Sequence, residues 1–220
     1  MYGESDVRLV HLETGEVEAR TRLPGHHFGE GLAKLGDRLY QLTWERPDGF
    51  IYSTQDVQKV GTFKTPLSDG WGIADDGGLL VVSDGSSTLS WLDPGDGFRS
   101  VRQVVVRSNG QDVKWLNELE VVDSQIWANV WQTECIARIC PKTGRVVGWL
   151  LMQGLGYALQ QRGLPNGGKA MEFFNGIAWD AKRRRLFVTG KYWPRLFEVV
   201  PRAINPNTKQ NQRLADTCIL

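Results

Sequence analysis

No apolar run in this chain approaches the ~18 residues that a membrane-spanning helix needs. Histidine and cysteine are scarce. The three histidines are His11, His26 and His27. Only His26 and His27 are neighbours, and adjacent side chains on a strand point to opposite faces. A histidine-built metal site or a Ser-His-Asp triad is therefore poorly supplied. Cys135, Cys140 and Cys218 are odd in number and form no Cys-x-x-Cys pair. Neither a zinc pattern nor a disulfide framework is expected from them, and they read as buried thiols. An excess of one charge is also missing. Lys and Arg total 26 against 25 Asp and Glu, a net charge of +1. Nucleic-acid binding, which leaves a basic footprint, is not expected. Amphipathic helical periodicity is nearly absent. The first residues, Met1-Tyr2-Gly3-Glu4-Ser5-Asp6, are polar and acidic, unlike a signal peptide. They leave the location of the protein unknown.

Glycine and tryptophan, by contrast, are abundant, at 25 and 9 of 220 residues. A hydrophobic share of 41% with 23% charged residues is enough for a packed core, and the length suits one domain. Four segments repeat. They start at Gly31-Leu32-Ala33, Gly72-Ile73-Ala74, Glu118-Leu119-Glu120 and Gly176-Ile177-Ala178. Each reads as a short strand, a Gly/Asp-rich turn and an alternating strand, which is a hairpin signal. The starts fall at 31, 72, 118 and 176, so the intervals are 41, 46 and 58. A four-stranded propeller blade takes ~40–50 residues. The third interval carries an insertion near Leu151–Ala170, read as a loop with a short helix at Gly156–Gln161. A second repeat relates Val10–Val17 to Ile139–Val146 and, more weakly, to Trp91–Phe98. The expected fold is all-β, a five-bladed β-propeller lacking the inner strands of its first blade. Residues 1–200 are expected to form that single domain, with a polar tail over 201–220.

In a propeller the residues just ahead of each innermost strand gather at one mouth of the channel. Here they are Glu30, Trp71, Asn117 and Asn175. The strands that follow end at Trp44, Asp84, Trp131 and Lys191. One slot filled by four unlike groups is the pattern of an asymmetric pocket on a repeating frame. Gly29 and Gly31 around Glu30 permit an unusual backbone or a close ligand approach. Trp91, Trp127, Trp149 and Trp179 read as core or inter-blade packing.

At these residues the chain resembles the plant-type glutaminyl-peptide cyclotransferases. The resemblance rests on Phe28-Gly29-Glu30-Gly31, Tyr40-Gln41-Leu42-Thr43-Trp44, Gly70-Trp71-Gly72 and Ser83-Asp84-Gly85-Ser86. It continues through Leu116-Asn117-Glu118-Leu119-Glu120, Ile126 to Trp131, Phe174-Asn175-Gly176-Ile177-Ala178 and Leu186 to Pro194. The resemblance implies a five-bladed propeller that converts N-terminal glutaminyl residues to pyroglutamyl and releases ammonia, without a metal or other cofactor. It implies Glu30 as general acid and base, with Asn117 and Lys191 stabilising the tetrahedral oxyanion. Phe28, Trp44, Trp71 and Trp131 would wall the pocket, and Asn175 would orient the substrate or close a turn. The partners expected are peptides or proteins with an N-terminal Gln, acted on by a monomer. Relatives often enter the secretory pathway. Family members begin with a blade whose motif contributes a Gln to the pocket, and this sequence starts after that point. Two other functions fit the same residues: a calcium-dependent lactonase or esterase propeller, since oxygen ligands suit calcium, and a non-catalytic propeller that binds partners on its face.

Overall fold

The computed structural model describes residues 2–163, 170–205 and 208–220. Strands β1 (Asp6–Val10) and β2 (Val17–Arg22) form a two-stranded hairpin. Strands β3 (Gly29–Leu35), β4 (Arg38–Thr43), β5 (Asp48–Ser53) and β6 (Lys59–Lys64) form the first four-stranded antiparallel sheet. The second contains β7 (Ile73–Asp76), β8 (Leu79–Val82), β9 (Thr88–Asp93) and β10 (Arg99–Val105), with a 3-10 turn at Pro94–Asp96. A small hairpin follows, β11 (Arg107–Ser108) with β12 (Gln111–Asp112). The third four-stranded sheet is β13 (Leu116–Val122), β14 (Gln125–Val130), β15 (Cys135–Ile139) and β16 (Val146–Leu151). After helix α1 (Leu155–Gln161), strands β17 (Phe174–Asp180), β18 (Arg185–Gly190) and β19 (Phe197–Val199) make a three-stranded sheet. Helix α2 (Lys209–Asp216) lies in the polar tail.

Successive meander sheets of this kind are propeller-type blades, so the expectation of an all-β propeller-like fold holds. The inserted helix falls within a residue of its expected place. The rest of the expected loop runs partly through 164–169, outside the described residues. The chain divides into two compact units: Met1–Asp84 with Ser90–Gln103, and Gly85–Leu89 with Val104–Leu220.

The inner hairpins form for the reason read from the sequence. Gly36 (φ 62°), Gly77 (φ 69°) and Gly78 (φ 100°) supply left-handed turn positions that a Cβ disfavours. The outer repeat is also real. In the first hairpin the N–H groups of His11 and Gly15 donate to the carbonyls of Glu16 and His11, both at 2.8 Å. Cys140 and Gly144 make the same two bonds to Arg145 and Cys140, both at 2.9 Å. Gly15 and Gly144 share a left-handed backbone, φ 75° and 71°.

Each unit has its own apolar core. In the first, Ala33, Leu42 and Phe63 of one sheet pack on Ile73, Leu80, Val82 and Leu92 of the next. A smaller cluster, Val7, Leu23, Phe50, Tyr52 and Val57, anchors the β1–β2 hairpin. In the second unit Val122, Trp127, Ile136 and Leu150 pack on Phe174, Ile177, Leu186 and Val188. Each large side chain buried this way contributes about 1.5–3 kcal/mol. Trp91 and Trp127 are buried, as expected of packing residues, and Trp179 is half-buried against the second unit's core. Trp149 is only half-buried.

The cysteines correct the sequence reading. Cys135 and Cys218 form a disulfide across 83 positions, with Cα atoms 5.6 Å apart. Spacing reveals paired cysteines only when they lie close in sequence or match a framework, and these do neither. Cys140, the free thiol, is half-exposed rather than buried. A hydrogen bond from the Thr143 side chain holds its thiol below the usual range. Cross-linking a loop of this length stabilises a fold by about 2–5 kcal/mol. Replacing Cys218 by Ser is therefore expected to lower the urea midpoint by a corresponding amount, and thiol titration of the native protein should find one reactive group. Three native thiols would show that the bridge is absent.

His27 is a second stability determinant. It is 7% exposed, edge-on to Phe50 at 5.0 Å, and its Nδ1 has no hydrogen-bond partner among the described residues. Burial pushes its pKa below the ordinary 6.5, and the neighbouring charges of His26, Arg46 and Lys59 push the same way against Asp48. The folded state therefore binds this proton less readily than the unfolded state. The stability associated with neutral His27 is complete above about pH 6.5 and is lost as pH falls through the lower folded-state pKa. The unfolding free energy of the native protein should fall between pH 7 and 5 more steeply than that of His27→Leu. Parallel profiles would remove His27 from this role.

Candidate active site

The expected slot coincides with a repeated backbone irregularity. In the first sheet Gly29 pairs with Thr43 and Leu32 with Gln41. Glu30 and Gly31 therefore oppose the single residue Leu42, which makes a β-bulge. Leu116 pairs with Val130 and Leu119 with Ala128, so Asn117 and Glu118 oppose Asn129. Phe174 pairs with Gly190 and Ile177 with Val188, so Asn175 and Gly176 oppose Thr189. In the second sheet Trp71 and Gly72 share Ser83. Trp71 N–H donates to the Ser83 carbonyl at 3.0 Å, and Gly72 N–H to its Oγ at 2.9 Å. Glu30, Trp71, Asn117 and Asn175 are thus the first residue of the two-residue side in all four blades. Bulges of this kind re-aim side chains at sheet rims.

Core spacing explains two of the bulges. Leu116 and Leu119 are both buried, as are Phe174 and Ile177. Residues three apart on a regular strand face opposite ways. One extra residue is needed to bring both to the core side.

The bulge also pushes the second residue's N–H out of the ladder, where it needs another acceptor. Gly31 N–H donates to the Trp71 carbonyl at 2.7 Å, joining the first bulge to the second within the first unit. In the second unit Glu118 N–H donates to Asn175 Oδ1 at 3.3 Å, and Gly176 N–H to Asn129 Oδ1 at 2.8 Å. These donors fix both amide orientations, since only the amide oxygen can accept. Asn129, fully buried, was not singled out by sequence reasoning.

Within the first unit Phe28 and Trp44 come together, rings 5.9 Å apart and edge-on, with Trp44 N–H donating to the Phe28 carbonyl at 3.0 Å. The Trp71 indole N–H donates to Asp69 Oδ2 at 3.0 Å, and Asp69 Oδ1 accepts from Glu45 N–H at 2.8 Å. Asp69 thereby ties Trp71 to the strand end beside Trp44. Within the second unit the same pattern recurs. Trp131 and Lys191 donate their N–H groups to the carbonyls of Trp115 (2.8 Å) and Phe173 (2.9 Å). Trp131 lies 5.5 Å from Trp115 and 5.4 Å from Phe173 by ring centroid. Trp115 and Phe173 occupy the position of Phe28, two residues ahead of the bulge. Both were missed, although that offset is visible in the sequence. Asn117 is buried. The Lys191 ammonium pairs with Glu172 at 2.9 Å, a partner that no sequence motif announces.

A Cβ on Gly31 would lie 2.7 Å from the Trp71 carbonyl oxygen and 2.8 Å from the Ile73 nitrogen. The close approach seen at Gly31 is that of the neighbouring strand's backbone. A Cβ on Gly29 would meet Gln41 Nε2 at 2.6 Å, so that glycine makes room for a buried side chain. Among the described residues no three His, Cys, Asp or Glu are grouped to hold a metal ion.

In each unit the blades carry carboxylate, aromatic or amide side chains on their bulges. The glutamine cyclotransferase family model matches residues 1–200, and the chain belongs to that family. The chain is 46% identical over 199 residues to the glutaminyl-peptide cyclotransferase of Arabidopsis thaliana. That match covers 90% of the chain and 61% of the relative, so the chain spans about three-fifths of that protein's length. The crystal structure of Myxococcus xanthus glutaminyl cyclase superposes with a TM-score of 0.79 at 39% identity, over 89% of this chain and 81% of that one.

The Gly31 contacts give a direct test. Gly31→Ala drives a methyl into two backbone atoms and is expected to destabilise by about 1–3 kcal/mol. Gly61→Ala, whose Cβ would meet Ile51 at an ordinary 3.6 Å, should be neutral or stabilise by up to about 1 kcal/mol. Urea unfolding of both variants measures the difference. Equal midpoints would overturn the packing role of Gly31.

Proposed function

We propose that this chain is a glutaminyl-peptide cyclotransferase, closing N-terminal glutaminyl residues of peptides to pyroglutamyl with loss of ammonia. One observation carries the reading: in a member of the glutamine cyclotransferase family, the carboxylate Glu30 and the amides Asn117 and Asn175 occupy equivalent bulge positions. The family match over residues 1–200 supports treating that span as one propeller domain with a polar tail after it. Five blades follow if the β1–β2 hairpin is the outer part of one blade. The protein would act as a monomer.

In the reaction the substrate's α-amino nitrogen bonds to its own side-chain amide carbon. The C–O double bond becomes a single bond to an oxyanion. Collapse of that intermediate breaks the C–N bond, and the nitrogen leaves as ammonia. The reaction is intramolecular, so holding the five-membered-ring geometry does most of the catalytic work. A free α-amine has a pKa of about 7.7–8.0, so a neutral, nucleophilic fraction exists near neutral pH. Glu30 accepts the proton that the amine loses and delivers it to the departing nitrogen. The Asn117 amide and the Lys191 ammonium donate to the oxyanion. Lys191 has its charge matched by Glu172, which holds the ammonium in place while leaving it cationic. Phe28, Trp44, Trp71 and Trp131 exclude water and grip the flat glutaminyl chain. Asn175 holds Glu118 N–H through its oxygen, so its NH₂ is the group that can donate to substrate.

A coupled ammonia-release assay on Gln-initiated dipeptides, with and without chelator, tests the reading. Turnover that chelator leaves intact is expected. Glu30→Gln should lower kcat by at least about 10²-fold and shift peptide binding only severalfold. Asn117→Ala should cost about 10²–10³ in kcat. A folded protein with no turnover above the spontaneous rate sinks the proposal, and full activity in Glu30→Gln takes the acid-base role away from Glu30.

A further inference from the structure

The second unit has a cleft of about 230 Å³ beside Lys191 and Trp131. That is smaller than the ~300–1,000 Å³ of pockets that enclose a whole ligand, and it suits a single side chain. Its walls come from three places. The β14–β15 turn gives Thr133 and Glu134, helix α1 gives Tyr157, and the approach to β17 gives Glu172 and Phe173, with Trp193 behind them. Gly156 packs α1 close to Trp193, since a Cβ there would come within 3.2 Å of the indole. Tyr157 and Phe173 are 65% and 41% exposed and form an aromatic lip.

The electrostatics of the cleft are one-sided. Glu172 is neutralised by Lys191 at 2.9 Å. Among the described residues Glu134 accepts the Gly154 N–H at 3.3 Å and pairs with no basic side chain. Aromatic faces beside a carboxylate that has no basic partner among the described residues are the environment that recognises a planar cation. A guanidinium stacks on rings and bonds a carboxylate with two parallel donors.

The cleft is continuous with residues assigned above to substrate. Phe173 touches Trp131, and Glu172 touches Lys191. We propose that it is the subsite for the residue that follows the N-terminal glutamine, and that it selects a cationic side chain there, arginine above lysine. This rests on the cyclotransferase reading.

The test compares kcat/KM for Gln-Arg, Gln-Lys, Gln-Ala and Gln-Glu amides with the wild-type protein and with Glu134→Gln. Wild type should favour Gln-Arg over Gln-Ala by about five- to twentyfold, mostly through KM, and Gln-Glu should be poorest. In Glu134→Gln the Arg/Ala ratio should fall to within about twofold of one, a change that partial misfolding cannot produce because both peptides meet the same active molecules. Tyr157→Ala should reduce the ratio as well, through the lost ring face. Equal kcat/KM for all four peptides, or a ratio unchanged in Glu134→Gln, overturns the subsite and leaves the cyclotransferase reading standing. No ammonia from any peptide overturns the cyclotransferase reading, and the subsite falls with it.

Discussion

A backbone N–H displaced from its ladder must find another acceptor or destabilise the fold, and among the described residues each of the four blades from β3 to β19 contains one. The bulge that opens each innermost strand creates it. The displaced groups are satisfied in three ways: a main-chain carbonyl for Gly31, a serine hydroxyl for Gly72, and asparagine oxygens for Glu118 and Gly176. An unmet buried donor costs about 1–3 kcal/mol, so these acceptors are not interchangeable decoration. They set the blades of each unit at the bulge. They also fix what the first bulge residue can do, because its direction depends on where its neighbour's N–H has gone. The asymmetry of the candidate site therefore begins in the backbone, one atom before the functional side chains.

The demand accounts for the glycines as well. The second bulge residue is glycine in three blades and Glu118 in the other. Gly31 is held against the Trp71 carbonyl with no space for a Cβ. Gly176 sits at φ 147°, with Thr189 Cγ2 only 2.8 Å from where its Cβ would be. In Glu118 the acceptor is a side-chain oxygen reaching from the next sheet. Gly176 also donates to a side-chain oxygen, so there the left-handed backbone and the Thr189 contact, not the acceptor, call for glycine.

Much of this order is legible in the sequence and some is not. The hairpins are legible because Gly36, Gly77 and Gly78 mark turns that only glycine favours, and the strands after them alternate. The slot is legible because Glu30, Trp71, Asn117 and Asn175 share one offset from a repeated motif. The bulges could have been read from Leu116 with Leu119 and from Phe174 with Ile177, whose spacing is odd for one face of a strand. Their acceptors could not. Asn129 reaches Gly176 across 47 positions and Asn175 reaches Glu118 across 57, and no local pattern encodes a partner in another sheet. The Glu172–Lys191 pair and the disulfide are hidden for the same reason, since each is made by the fold rather than by a motif.

The disulfide acts close to the proposed subsite. Cys135 starts β15 directly after the turn that carries Thr133 and Glu134. Thr133 braces that turn. Its hydroxyl donates to the Val130 carbonyl at 2.7 Å and accepts from the Cys135 N–H at 3.1 Å. Bonding Cys135 to Cys218 fastens the tail to the strand that this turn leads into. On the other side, Glu134 grips the residue that opens α1, the helix inserted between the third and fourth repeats. A carboxylate that must choose between side chains works best when its own position is settled before substrate arrives. Here the hydroxyl brace, the covalent link and the helix start all hold the same β14–β15 turn. The insertion and the tail, the two parts of the sequence that break the repeat, thus meet at the point where the repeat alone could supply no selectivity.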